Sequence, residues 1–72
     1  MKYAIVIEKS ETGYGAYVLD LPGCAVVAET EREVRKLIRE AIAIHVQELR
    51  AQGDEIPEPS SVVDYIEIPS AA

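Results

Sequence analysis

Hydrophobic and polar positions alternate from the start of the chain. Over residues 2–8, Tyr3, Ile5 and Ile7 fall on one side and Lys2, Ala4, Val6 and Glu8 on the other. A period of two marks a β-strand. The polar stretch Lys9-Ser10-Glu11-Thr12-Gly13 predicts a turn, and Tyr14-Gly15-Ala16-Tyr17-Val18-Leu19 a second strand, so the two form an antiparallel hairpin. Asp20-Leu21-Pro22-Gly23-Cys24 follows. Proline presets the first central position of a turn and glycine tolerates the positive φ that a type II turn requires at the second. The short apolar run Ala25-Val26-Val27-Ala28 is a third strand, which makes 1–29 a meander.

The period then changes. Thr30 with Glu33 three residues on is a capping box, each side chain placed to satisfy an orphan backbone N–H. Val34, Leu37, Ile38, Ala41, Ile42, His45 and Leu49 recur at three- and four-residue spacing, one apolar stripe on a helix. Gly53 stands where a C-terminal cap is needed. The helix is about 22 residues, roughly 33 Å long. In Asp54-Glu55-Ile56-Pro57-Glu58-Pro59-Ser60-Ser61 the two prolines exclude helix and central strand. Val62-Val63-Asp64-Tyr65-Ile66-Glu67-Ile68 returns to strand character and stops at Pro69. The order is β-β-β-α-β: an α+β domain over 1–72, a small mainly antiparallel sheet with one long helix on one face.

A domain of 72 residues sits near the lower limit of what one core can hold. Disulfides, metals or oligomerisation usually reinforce such a domain. Cys24 has no second cysteine to pair with, and His45 is the single histidine, which leaves no zinc constellation. Oligomerisation remains. On the first strand apolar groups point both ways and one helix covers one face, so a homo-oligomer is expected, a dimer in its simplest form. The apolar N-terminal run is too short for a signal peptide and no segment reaches membrane-spanning length, so the chain reads as cytoplasmic, with no membrane partner.

The net charge of −6 is unevenly spread. Arg32, Arg35, Lys36, Arg39 and Arg50 lie in 31–52 beside four acids, while the rest carries nine acids against Lys2 and Lys9. An anionic body repels phosphate backbones and attracts a basic partner. The helix bases are partly neutralised by i,i+4 pairing of Glu31 with Arg35 and Lys36 with Glu40, and no aromatics interleave them to stack bases. That face reads as solvated.

No catalytic constellation emerges. His45 lies on the apolar stripe between Ala41 and Leu49, where packing is the simpler role. Cys24 has no motif that would activate its thiol, and reads as a small buried apolar residue. Glu8, Asp20, Glu29, Asp64 and Glu67 show no two-metal spacing, and no phosphate loop, triad or zinc signature is present. The expectation is no enzyme, no cofactor and no metal; a residual enzyme using these carboxylates is the weakest of three readings.

Taken in order, Tyr14 to Cys24, Thr30-Glu31-Arg32-Glu33, Ala41-Ile42-Ala43-Ile44-His45 and Ile56-Pro57-Glu58-Pro59 resemble the HicB-like antitoxins over nearly the whole chain. Leu19 stands where that family often has proline, and Ala28-Glu29-Thr30 lacks the glycine common there. The resemblance implies a partial RNase H-like fold without nuclease activity. It also implies a partner, a small HicA toxin that is an mRNA interferase with a catalytic histidine. Many HicB proteins carry a C-terminal DNA-binding module; the sequence ends at Ala72, so direct DNA binding is not expected. The leading reading is an antitoxin that occludes a basic toxin, and the alternative an orphan HicB-like self-assembling module with another regulatory client. By exposure and charge, the candidate contact residues are Asp20, Leu21, Pro22, Glu29, Asp54, Glu55 and Glu58.

Overall fold

A computed structural model describes residues 1–70. Three strands, β1 (Ile5–Lys9), β2 (Tyr14–Val18) and β3 (Ala25–Ala28), form an antiparallel sheet in the order β1-β2-β3, and α1 (Glu31–Ala51) follows. The register places Ile7 opposite Ala16 and Ala16 opposite Val26, with Ile5 opposite Val18. These residues share the face that α1 covers. There Ala16, Val18, Leu21 and Cys24 pack with Val34 and Ile38 of the helix as the buried core, with Tyr3, Ile5, Ile7, Tyr14 and Val26 around them. The strand alternation was legible because one face of an antiparallel sheet is buried and the other solvated.

Both helix ends are closed by the residues that the sequence marked. Thr30 Oγ1 accepts from the Glu33 N–H at 3.1 Å. The reciprocal half of the capping box is not made: the Thr30 hydroxyl donates to the Glu33 carboxylate at 3.0 Å instead. At the far end Gly53, at φ +74°, donates to the Arg50 carbonyl, and Asp54 donates to that of Leu49. This pair of bonds is a Schellman cap. The buried positions of α1 are Val34 and Ile38. Leu37 is rotated toward solvent, and Val46 packs on the core in its place along the stripe.

The expected fourth strand is a correction. Residues 62–68 belong to no sheet, and among the described residues no backbone hydrogen bond joins them to β1, β2 or β3. A strand exists only through its neighbour. Within one copy the segment has none, so the alternating pattern is present without the ladder. The fold is three antiparallel strands and one long helix, a small α+β domain, followed by an extended arm.

Candidate partner-binding surface

The turn that carries Asp20, Leu21 and Pro22 forms as the sequence dictates. The Cys24 N–H donates to the Leu21 carbonyl at 3.1 Å, closing the four-residue turn around Pro22 and Gly23, the latter at φ +81°. Its side chains then diverge. Leu21 is completely buried, the largest of the fully buried side chains together with Ile38. Its place in the expected contact surface is therefore withdrawn: the turn is held on the core by this side chain, which no partner can reach. Pro22 is exposed beside it.

Asp20 does something that the sequence did not reveal. Its carboxylate accepts from the backbone N–H groups of Ser60 and Ser61, at 3.0 and 2.9 Å, and from the Ser61 hydroxyl at 2.7 Å. These bonds, led by the Ser61 N–H, hold its pKa below the ordinary value of 3.8. Asp20 is thus a tether for the chain that leaves the helix. A second tie comes from Tyr3, whose hydroxyl donates to the Pro57 carbonyl at 2.6 Å. The pair of serines was visible in the sequence, but a bond spanning forty positions leaves no local signal.

These ties gather part of the predicted surface. The exposed Asp54, Glu55 and Glu58 lie on the segment pinned at Tyr3 and Asp20, so they share one end of the sheet with Pro22. Glu29 does not join them. It lines a shallow depression with Glu8, Gly13, Tyr14 and Val27, at the other end of the strands. The length of β2 separates the two ends, roughly 14 Å at about 3.4 Å per residue.

The outer face of the sheet adds apolar area between them. Tyr17 is 40% and Val27 81% exposed on this face, with Val6 opposite Tyr17 in the register. The outer face thus carries exposed apolar groups between two acidic ends of the strands. The alternation in Ala16-Tyr17-Val18 and Val26-Val27 held that signal: each buried residue implies an outward neighbour.

Of the groups weighed for chemistry, Asp20 is engaged with Ser60 and Ser61, and Glu29 lies beside Glu8 at the far end of the strands. Cys24 is buried and unpaired, and burial pushes its thiol pKa up, away from the reactive thiolate. His45 is half-buried on α1, lining a depression with Gly23, Cys24, Ala25 and Glu48. Among the described residues no cluster of three or more His, Cys, Asp and Glu is placed to hold a metal ion. The bases Arg32, Arg35, Lys36 and Arg39 form a solvent-facing strip on α1, where Arg35 pairs with Glu31 at 3.0 Å. The Lys36–Glu40 pair expected beside it is not formed: among the described residues, Glu31–Arg35 is the ion pair present. No helix of the described residues is long and apolar enough to cross a membrane.

Comparison with known proteins decides the family. The model of the HicB_like antitoxin of bacterial toxin-antitoxin systems matches residues 3–71. The chain belongs to the HicB-like antitoxin family. A HicB-like relationship also holds in three dimensions: a chain of the solved HicA3 and HicB3 toxin-antitoxin complex matches with a TM-score of 0.71 at 32% identity, over 83% of this chain and 70% of that one. Among curated proteins, an uncharacterized 14.9 kDa protein of Haemophilus phage HP1 is 35% identical over 96% of this chain. The chain spans about half the length of that relative, 52%. A UPF0150 protein of Thermoplasma acidophilum is 38% identical over 79% of this HicB-like chain and 84% of its own length.

Proposed function

We propose that this protein is the antitoxin of a pair with a small basic HicA-like mRNA interferase, acting in the cytoplasm by covering the toxin's RNA-binding surface and performing no catalysis of its own. The single observation that carries this reading is the family match along the chain, reinforced by structural likeness to a chain from a complex of a toxin with its antitoxin. The distribution of charge points the same way. With nine acids against two bases outside 31–52, the protein presents carboxylates where an RNA-binding protein expects phosphates. The surface we assign to the toxin is the end carrying Pro22, Asp54, Glu55 and Glu58, with the strip of Tyr17 and Val27 beside it and Glu29 at its far rim.

Co-expression with the adjacent reading frame tests the proposal. That frame should arrest growth when expressed alone, and growth should return, with a recoverable complex, when this chain is present. A frame that is toxic alone and equally toxic with this protein sinks the antitoxin reading and leaves a self-assembling module with a different client. Incubating the pure protein with RNA and DNA in Mg²⁺ and Mn²⁺ tests the absence of catalysis. Cleavage that disappears on Asp20→Asn or Asp64→Asn would show a nuclease.

A further inference from the structure

The chain that leaves α1 is held as a strap over residues 54–61, tied at its start, middle and end. Asp54 donates to the Leu49 carbonyl at 2.9 Å and so begins the strap on the helix. The Pro57 carbonyl accepts from the Tyr3 hydroxyl at 2.6 Å. Ser60 and Ser61 close the far end on the Asp20 carboxylate. Between the ties, Pro57 and Pro59 fix their own φ and hold the residues before them extended.

Burial along the strap is sorted. Ile56, Pro57 and Pro59 are half-buried, whereas Asp54, Glu55 and Glu58 are exposed. Among the described residues no ion pair engages these three carboxylates, so their charge is open to a partner. The two tying side chains are polar where packing alone does not ask for it. The Tyr3 ring packs against the core, which a phenylalanine ring would do as well, and its hydroxyl reaches Pro57. Asp20 spends its carboxylate on backbone and hydroxyl donors forty positions away in the sequence.

We infer that Tyr3 and Asp20 are positioning residues for partner recognition, holding the strap so that Asp54, Glu55 and Glu58 meet a basic partner already ordered. The inference rests on the antitoxin reading and deepens it, since it assigns to two residues outside the contact the order of the acids within it. A strap without its ties is ordered only as the partner arrives, and that cost is subtracted from the affinity. Equivalently, the apparent affinity falls by the fraction of molecules whose strap is in the binding conformation. Tyr3→Phe is the clean probe, because it removes one tie and changes neither the net charge nor the ring.

The test is a double-mutant cycle on binding to the adjacent-frame protein, with nitrogen relaxation of the free chain beside it. In the free wild type, residues 55–58 should be as rigid as β2; in Tyr3→Phe/Asp20→Ala they should be mobile while β2 and α1 keep their order. Tyr3→Phe alone should weaken binding several-fold, and the double variant on the order of tenfold. Reversing Glu55 and Glu58 to Lys should then cost less in the untied background than in the wild type, because loose carboxylates no longer sit where the partner needs them. Equal binding by wild type and Tyr3→Phe/Asp20→Ala overturns the inference and leaves the ties a purely architectural clasp. So does a charge reversal that costs the same in both backgrounds, or a strap that stays rigid without its ties. Where the double variant does not fold, Tyr3→Phe carries each comparison alone. A wild-type chain that does not bind the adjacent-frame protein is a different failure, since it removes the antitoxin reading itself and this inference with it.

Discussion

The Asp20 carboxylate takes two hydrogen bonds from Ser61, one from the backbone N–H at 2.9 Å and one from the hydroxyl at 2.7 Å. Ser60 adds a third, shorter in sequence reach by one residue and from its backbone N–H at 3.0 Å. One acid at the end of β2 thereby fixes where the arm starts. Asp20→Ala should leave the meander and helix folded, because no core side chain is touched, but should free the root of the arm. The measurement is amide exchange at Ser60 and Ser61, expected to rise toward the unprotected rate while β2 amides stay slow. Unchanged protection at both serines would show that the tether does not hold in solution.

That tether carries its own pH dependence. The hydrogen bonds from Ser61 lead in holding the Asp20 pKa below 3.8, against a partial opposing effect of burial. A carboxyl depressed in the folded state contributes stability that is complete above its unfolded pKa and is lost as pH falls through the folded one. The contact should therefore be constant through neutral and mildly acidic pH and weaken only below 3.8. Following the Ser61 amide resonance through an acid titration gives the midpoint. A midpoint at or above 3.8 would contradict this, and Asp20→Asn should abolish the transition.

Leu21 and Pro22 are neighbours with opposite fates, and substitution should separate them. Leu21→Ala truncates a completely buried core side chain. The usual cost is ~2–5 kcal/mol. Domains of this size have ~3–5 kcal/mol in hand. The variant should be largely unfolded near room temperature, read as loss of the helical circular dichroism signal and of the cooperative thermal transition. A folded variant that lost only partner binding would restore Leu21 to the contact surface. Pro22→Ala, at an exposed position, should retain the transition.

The Thr30 cap makes a smaller claim. Its hydroxyl accepts the Glu33 N–H, one of the orphan donors of α1. Thr30→Ala should cost about 1 kcal/mol. Urea denaturation measures it as a lowered midpoint with an unchanged slope. Thr30→Ser should recover most of the loss, and equal loss in both variants would mean that the methyl group matters more than the bond.

What could be read from the sequence was whatever a local pattern encodes. Ile5, Ile7, Ala16, Val18, Val34 and Ile38 announced themselves by period, and Thr30, Pro22 and Gly53 by turn and cap chemistry. The exposure of Asp54, Glu55 and Glu58 was legible in their charge. Two things were not. Leu21 sits in a turn, where exposure is the ordinary expectation, and only the packing of β2, β3 and α1 over it shows otherwise. Asp20 looked like a free acid because its partners, Ser60 and Ser61, are distant in sequence. The alternation at 62–68 was read as a fourth strand, but alternation does not supply a neighbour, and within the chain no strand pairs with it.

Glu55 and Glu58 provide the sharpest test of how the proposed partner is recognised. Both are exposed on the pinned segment, so neither is desolvated in the free protein. Charges of this sort at an interface rim act on encounter: they steer the partner at long range and are screened by salt over about 8–10 Å. Reversing both to Lys changes the local charge by four units, from the two acids lost and the two bases gained. The association rate with the adjacent-frame protein should fall, on the order of tenfold at low salt, and the gap from wild type should shrink as salt rises. Dissociation should change little, because no buried contact is removed. Glu29→Lys, at the opposite end of the strands, should have the weaker effect on association. Surface plasmon resonance across a salt series separates the two rates. If the loss appears in dissociation and persists at high salt, these carboxylates are buried by the partner, and the contact is centred on the 54–58 segment rather than bordered by it.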